Sequence, residues 1–246
     1  EQAIHNGAAG AVISSGKKSA YSFHNGFKKC ALLEVADTLR ALGDLAKFYR
    51  NSLPTSFIAV TGSNGKTTTK DMAYHVLGNF KSVSRSRKSF NNFIGVPLTI
   101  FETEATHDFC IVEMGTNAPG EIKRLSEIIF PDYTILTNIS NTHLEGLGSI
   151  EGVASAKSEF IENMAEDGTL ITNADDDWCD QIANRFNGKV IRFGFNQSAD
   201  IKASNVKRND SGFVFTVNDS LTVNLPVLGK HNIYNALAVI AMCDAV

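Results

Sequence analysis

The sequence predicts a doubly wound α/β fold: a mostly parallel sheet with helices on both faces, extended by a small antiparallel hairpin or meander near 199–226. Three observations carry this. Short strand-like runs at 57–61, 109–113, 133–138, 169–172 and 190–193 alternate with segments of helical character. The largely apolar runs at 57–61 and 109–113 suit strands buried on both faces of a parallel sheet. Over 199–226 the pattern changes: Ile201, Phe213, Phe215, Val217, Leu221, Val223 and Leu225 alternate with polar residues, with turn signals at Asn209-Asp-Ser-Gly212 and Asn218-Asp219.

Taken in order, residues 1–33 read as a short helix end, then Gly7-Ala-Ala-Gly10 leading into the strand-like Ala11-Val-Ile-Ser14. That stretch is too short to be an independent domain. Residues 34–50 read as an amphipathic helix, with Val35, Leu39, Leu42, Leu45, Ala46 and Tyr49 at spacings of three and four. A helix follows the 57–61 strand to about Leu77; others are expected around Glu121–Ile129, from Ile150 to about Ala165, and from near Asn232. The chain opens mid-pattern at Glu1-Gln2-Ala3-Ile4 and stops in a helical pattern at Ala245-Val246, so it reads as a piece of a longer protein.

Composition narrows the function classes. The 246 residues are 43% hydrophobic and 20% charged, enough for a sizeable core, and the net charge of −3 argues against a protein that coats nucleic acid or an acidic membrane. The longest fully apolar run, Ala236–Met242, is far short of the roughly 20 residues a spanning helix needs. Cys30, Cys110, Cys179 and Cys243 show no C-x-x-C spacing; they read as reduced, mostly buried thiols of a cytoplasmic protein, with no zinc site.

The strongest local signal is Thr61-Gly-Ser-Asn-Gly-Lys-Thr-Thr68, which follows an apolar strand and opens a helix. That is the context of a phosphate-binding loop. Glycine lets backbone N–H groups approach phosphate oxygens, and the helix N-terminus adds partial positive charge. Lys66 would reach the outer phosphates and the Thr67 hydroxyl would sit on Mg²⁺. Val60 stands where the common form of this loop has its first glycine, which leaves the short form Gly62-x-x-Gly65-Lys66-Thr67.

Thr67, Glu113 and His143 each lie just past a different predicted strand, where ligands bind in open parallel sheets. Glu113 offers the hard oxygen that Mg²⁺ prefers; singly it also reads as a helix cap, and His143 as a solvated loop residue. Lys157 shares a helix face with Val153, Phe160, Ile161 and Met164. It either snorkels to solvent or points into the site, and a chemically modified lysine is one form of the second reading. Asn91 and Asn92 are turn residues or ligand contacts, Asp175-Asp-Asp177 reads as a helix N-terminus, and Gly229-Lys-His-Asn-Ile-Tyr-Asn235 opens the last helix with Asn232 and Asn235 on one face.

Together these segments resemble one family. The loop Gly62-Ser-Asn-Gly-Lys-Thr-Thr68 is similar to the ATP-binding loop of the Mur ligases, the amide-forming ligases of bacterial cell-wall synthesis. Ser89-Phe-Asn-Asn-Phe-Ile-Gly-Val-Pro-Leu-Thr99 and Glu113-Met-Gly-Thr-Asn-Ala-Pro-Gly-Glu-Ile122 look like the branch that adds D-alanyl-D-alanine. Thr137-Asn138, His143-Leu-Glu145, Ala156-Lys157-Ser-Glu159 and Gly229-x-His231-Asn232-x-x-Asn235 match in the same order.

The resemblance implies an ATP-dependent ligase that joins D-alanyl-D-alanine to UDP-N-acetylmuramoyl-tripeptide through an acyl phosphate. Gly62, Ser63, Asn64, Gly65, Lys66, Thr67 and Thr68 would hold the phosphates, and Asn92, His231, Asn232 and Asn235 would complete the nucleotide site. Thr67 and Glu113 would hold one Mg²⁺, and His143 with a carbamylated Lys157 a second. Lys66, His143 and Lys157 would be catalytic. The resemblance also implies 1–33 as the remnant of an N-terminal UDP-substrate domain, 34–246 as the central ATP-binding domain, and a missing amine-binding C-terminal domain, so that the chain alone should ligate weakly or not at all. The expected protein is a cytoplasmic monomer acting on small molecules, with no nucleic acid and no membrane insertion. The alternatives are another ligase of the superfamily, such as folylpolyglutamate synthase, and a regulatory module that binds ATP without ligation.

Overall fold

The structure is a computed structural model that describes residues 2–18 and 31–246; Cys30 lies outside them. The chain begins with α1 (Gln2–His5) and β1 (Gly10–Ser14), and β1 pairs in parallel with β2 (Ala31–Val35) as a separate two-stranded sheet. The expected helix over 34–50 is therefore shorter than its periodicity suggested. It is α2 (Thr38–Arg50), started by Asp37, which has an extended backbone and whose side-chain Oδ1 accepts the N–H groups of Leu39 and Arg40. The boundary expected between residues 33 and 34 falls inside β2. Leu39 and Leu45 are exposed, whereas Gly43 and Ala46 are buried. The reason is close packing: a Cβ on Gly43 would stand 2.7 Å from the Ile128 side chain, so this helix docks through its small residues.

The main sheet contains β3 (Ser56–Thr61), β4 (Val83–Arg85), β5 (Phe109–Glu113), β6 (Tyr133–Leu136), β7 (Thr169–Asn173), β8 (Lys189–Gly194), β9 (Ile201–Arg208), β10 (Phe213–Val217) and β11 (Leu221–Leu225). Their spatial order is β11-β10-β9-β8-β7-β6-β3-β5-β4. Pairing is parallel from β4 to β9, and β9, β10 and β11 run antiparallel, continuous with the rest of the sheet. The helices are α3 (Lys66–Leu77), α4 (Gly95–Phe101), α5 (Glu121–Ile129), α6 (Leu144–Leu147), α7 (Ile150–Ser158), α8 (Asp177–Ala183) and α9 (His231–Ala245). The helix expected from 150 to about 165 ends at Ser158 and tightens into a 3₁₀ turn over Glu159–Asn163.

Alternate residues of each central strand feed two cores, as a doubly wound sheet requires. On one face Ala59, Val112, Leu136 and Leu170 meet Leu125, Val153, Phe160 and Ile182 from α5, α7, the 3₁₀ turn and α8. On the other, Val60, Ile111, Ile135 and Ile171 meet Ala73 and Leu77 of α3 and Ile233 and Leu237 of α9. No helix among the described residues is long and apolar enough to cross a membrane.

Candidate nucleotide and metal site

The strand order fixes where a ligand can sit. β3 lies between β5 and β6: the chain runs from β3 to β4 and back to β5 on one side, then crosses to β6 on the other. The crevice beyond the carboxyl ends of these three strands is the switch point of the sheet.

The loop after β3 is held in one shape by the loop after β6. Gly62 has φ 134, and a Cβ there would lie 2.0 Å from Thr137 Oγ1, so only glycine fits. Thr137 Oγ1 donates to the Asn64 carbonyl at 2.6 Å, and Asn138 Nδ2 donates to the same oxygen at 3.0 Å. The Ser63 N–H donates to the Asn138 carbonyl at 2.8 Å, the Asn64 N–H to Asn138 Oδ1 at 3.1 Å, and the Ser140 N–H to Ser63 Oγ at 2.9 Å. The amides of Ser63 and Asn64 are thus committed to the protein. Those of Gly65, Lys66, Thr67 and Thr68 have no partner among the described residues. These four free donors at the start of α3 are an arrangement that can receive an anion. The Lys66 ammonium lies across it, donating to the carbonyls of Gly62 (2.8 Å) and Ser63 (3.1 Å). Burial lowers its pKa, partly offset by the carboxylate of Glu113.

Beside the loop, Thr67 Oγ1 donates to Glu113 Oε2 at 2.8 Å, and Asn91 Nδ2 donates to Glu113 Oε1 at 2.9 Å. Glu113 is 1% exposed. A carboxylate and a hydroxyl are therefore paired at the edge of the anion site, a hard oxygen set of the kind Mg²⁺ takes. Asn92 is used differently. Its Oδ1 accepts the N–H groups of Ile94 and Gly95 and caps α4. Of the two adjacent amides, Asn91 is the one directed at the carboxylate.

Lys157 points inward. It is 1% exposed, and its ammonium has no hydrogen-bond or ion-pair partner among the described residues. Burial, reinforced by the positive charge of Lys66, lowers its pKa to about 7. His143 has φ 55 and precedes α6; it is exposed and lines an open depression with Asn117, Asn141 and Glu145. No cluster of three His, Cys, Asp or Glu side chains with metal-binding spacing occurs among the described residues.

α9 closes the site from the far side. Asn232 Nδ2 donates to the Leu228 carbonyl, Asn235 Nδ2 to Asn232 Oδ1, and Thr69 Oγ1 to Asn235 Oδ1. Asn232 and Asn235 are buried, and a Cβ on Gly65 would lie 2.5 Å from Asn235 Oδ1. Asn235 thus buttresses the turn of the phosphate loop. His231 is exposed and its ring packs over Gly229. Asp176 caps α8, accepting from Trp178 and Cys179, as the aspartate run predicts.

Two participants escaped the sequence reading. Ser140 joins the loop lock through its backbone N–H and through its hydroxyl, which accepts from Asn64 Nδ2 at 2.9 Å. Lys70 is fully buried, 3.8 Å from Glu113 Oε2. The signal for Lys70 was present: it lies three residues after Thr67, on the same face of α3.

The sequence and the fold both match known proteins. The family model for the Mur ligase middle domain matches residues 60–243. The UDP-N-acetylmuramoyl-tripeptide–D-alanyl-D-alanine ligase of Bacillus subtilis is 42% identical over 212 residues, covering 86% of this chain and 46% of the relative. The chain thus spans about half the length of the curated relatives it matches. A crystal structure of MurF from Acinetobacter baumannii superposes with a TM-score of 0.87 at 30% identity, over 99% of this chain and 52% of that one. MurF ligase from Thermotoga maritima, solved in complex with ADP, shares the fold with a TM-score of 0.84 at 24% identity, over 98% of this chain and 61% of that one. With the middle-domain match covering most of its length, the chain belongs to the Mur ligase family.

Proposed function

We propose that this chain is the ATP-binding part of the ligase that joins D-alanyl-D-alanine to UDP-N-acetylmuramoyl-tripeptide in peptidoglycan precursor synthesis. The observation that carries the reading is the row of four unpartnered N–H groups at the start of α3, with Lys66 above it and the Thr67–Glu113 pair at its edge. Four N–H groups and an ammonium form a cradle for a polyphosphate, not for a neutral ligand. The relative from Bacillus subtilis, named for D-alanyl-D-alanine addition, favours this branch over the other amide-forming ligases of the superfamily.

In this reading the tripeptide carboxylate attacks the γ-phosphorus of ATP, ADP leaves, and an acyl phosphate forms. The amine of D-alanyl-D-alanine then attacks the acyl carbon and phosphate leaves. Lys66 and the N–H groups of residues 65–68 bind and orient the phosphates. Thr67 and Glu113 would hold one Mg²⁺, which would neutralise charge on the phosphate oxygens. As an ammonium Lys157 has no lone pair for a metal; carbamylated, it becomes an anion fit to hold a second Mg²⁺ with His143. Its depressed pKa supports that modification, because only the neutral amine combines with CO₂. His231, Asn232 and Asn235 would border the adenosine. The stretch through β2 would be the end of a UDP-substrate domain, and the chain from α2 onward the ATP-binding domain of a cytoplasmic, monomeric enzyme.

The test has two parts. Calorimetry should show Mg²⁺–ATP binding by this chain that is lost in Lys66→Ala; equal affinity in the variant would refute the phosphate assignment. Mass spectrometry of the full-length protein with ATP, the UDP-linked tripeptide and competing amines should show product with D-alanyl-D-alanine. Preference for a single amino acid as the amine would refute the branch.

A further inference from the structure

Lys70 touches neither the phosphate loop's free N–H groups nor Lys66, yet it is among the most completely buried side chains of the protein. Burying an ammonium is costly unless it is paired and hydrogen-bonded, so its partners identify its role. Three groups face it. Its Nζ donates to the Lys88 carbonyl, stands 3.8 Å from Glu113 Oε2, and stands 3.6 Å from Asp71 Oδ1. Asp71 Oδ1 is already engaged by Arg85 at 2.5 Å; Glu113 accepts from Thr67 and Asn91 but has Lys70 as its one ion-pair partner among the described residues, and the Lys88 carbonyl has Lys70 as its one donor among them. Lys88 has φ 48, a left-handed conformation that a lysine adopts only when its surroundings enforce it.

Lys88 belongs to the segment between β4 and α4 that wraps the carboxylate. Ser86 Oγ accepts the N–H of Glu113 at 3.2 Å, and Asn91 Nδ2 donates to Glu113 Oε1. Lys70 therefore ties three pieces together: the phosphate-loop helix, the carboxylate at the end of β5, and the segment that delivers Asn91. We propose that Lys70 is a positioning residue of the metal–phosphate site, which fixes Glu113 and the 86–91 segment in the geometry that receives a divalent cation. It would act through Glu113 and Asn91, without touching the nucleotide. This role rests on the nucleotide reading of the loop.

The test is nucleotide binding by this chain, followed calorimetrically, with Lys70→Met, Asn91→Ala and the double variant, each first shown to be folded by circular dichroism and thermal melting. ATP affinity in excess EDTA should match the wild type in all of them, because the loop N–H groups and Lys66 are intact. The Mg²⁺ concentration that half-saturates the enhancement of binding should rise about 10- to 100-fold in Lys70→Met, the range found when partners of metal ligands are removed. The double variant should be no worse than the more impaired single variant, since both changes release the same segment. Unchanged Mg²⁺ dependence in folded Lys70→Met, equal losses with and without Mg²⁺, or additive losses in the double variant would overturn the assignment. Failure of the wild-type chain to bind nucleotide at all would overturn the nucleotide reading and this role with it. Should Lys70→Met not fold, Lys70→Arg keeps the charge but displaces it, and the same shift in Mg²⁺ dependence is expected.

Discussion

Replacing Lys157 by methionine should stabilise the fold, and by an amount that depends on pH. The side chain is 1% exposed and its ammonium has no partner among the described residues. Burial lowers its pKa from the ordinary lysine value of 10.5 to about 7. Each tenfold in proton affinity is about 1.4 kcal/mol, so the buried charge costs the folded chain about 5 kcal/mol at most. That is a ceiling, because a folded chain relaxes around a buried charge and admits water. In the unfolded chain the amine holds its proton up to pH 10.5, and in the folded chain only up to about pH 7. Below pH 7 both states are protonated and the wild type bears the full cost. Between pH 7 and 10.5 the unfolded state binds more protons, so wild-type stability rises with pH and the cost fades. Methionine has nearly the same length and no charge. The gap between Lys157→Met and wild type should therefore be largest near pH 6 and shrink to about 1.4 kcal/mol near pH 9.5, one tenfold step below the unfolded pKa. The assay is urea unfolding at both pH values in CO₂-free buffer. A gap that stays constant with pH, or a variant less stable than wild type at pH 6, would refute the claim that an unpaired ammonium is buried there. Adding bicarbonate at pH 8 should stabilise the wild type alone if the amine is carbamylated.

Three further outcomes follow from the geometry. Gly65→Ala should weaken nucleotide binding and lower the melting temperature, since the new methyl would lie 2.5 Å from Asn235 Oδ1 at φ 82; adding Asn235→Ala should relieve the contact but leave about 1–2 kcal/mol of backbone cost, read by denaturant titration. Asp176→Ala removes the acceptor for the N–H groups of Trp178, Cys179 and Ile139 and should cost about 2 kcal/mol of unfolding free energy, read by denaturant titration. Mapping of thiol modification by mass spectrometry should find Cys243, which is half-buried, modified well before Cys110 and Cys179, which are fully buried; burial raises the thiol pKa of all three, so access decides the order.

The strands of the central sheet were legible because burial on both faces favours short, largely apolar runs, and 109–113, with four apolar residues before Glu113, is buried at every position. Elements without that constraint were not. β4 has three residues, too few for any period to show. α4 contains Pro97, a residue that argues against a helix until it is seen to sit in the first turn, where its missing N–H has no intrahelical partner to lose. At residues 31–35 the helix-like spacing of Val35 with Leu39 and Leu42 concealed a strand, because a stripe of apolar residues does not record where the chain bends; Asp37 does.

The site shows a sharper limit. The strand–loop–helix around Gly62 and Gly65 could be read from eight consecutive residues, but which of its amides are free could not, because Asn138, 74 residues beyond Asn64, decides that. The same holds for the carboxylate. Glu113 at a strand end was evident as a candidate, yet its orientation comes from Asn91 and Thr67, 22 and 46 residues away in sequence. Asn91 and Asn92 are identical in type and adjacent, and only the start of α4 separates their roles: the residue that caps the helix has its carbonyl oxygen spent, and its neighbour is turned toward the crevice. A motif thus marks residues whose neighbours lie along the chain. The pairings that ready those residues for a phosphate or a cation run between loops, and at this switch point three loops from three strands must meet before any of them has a fixed shape.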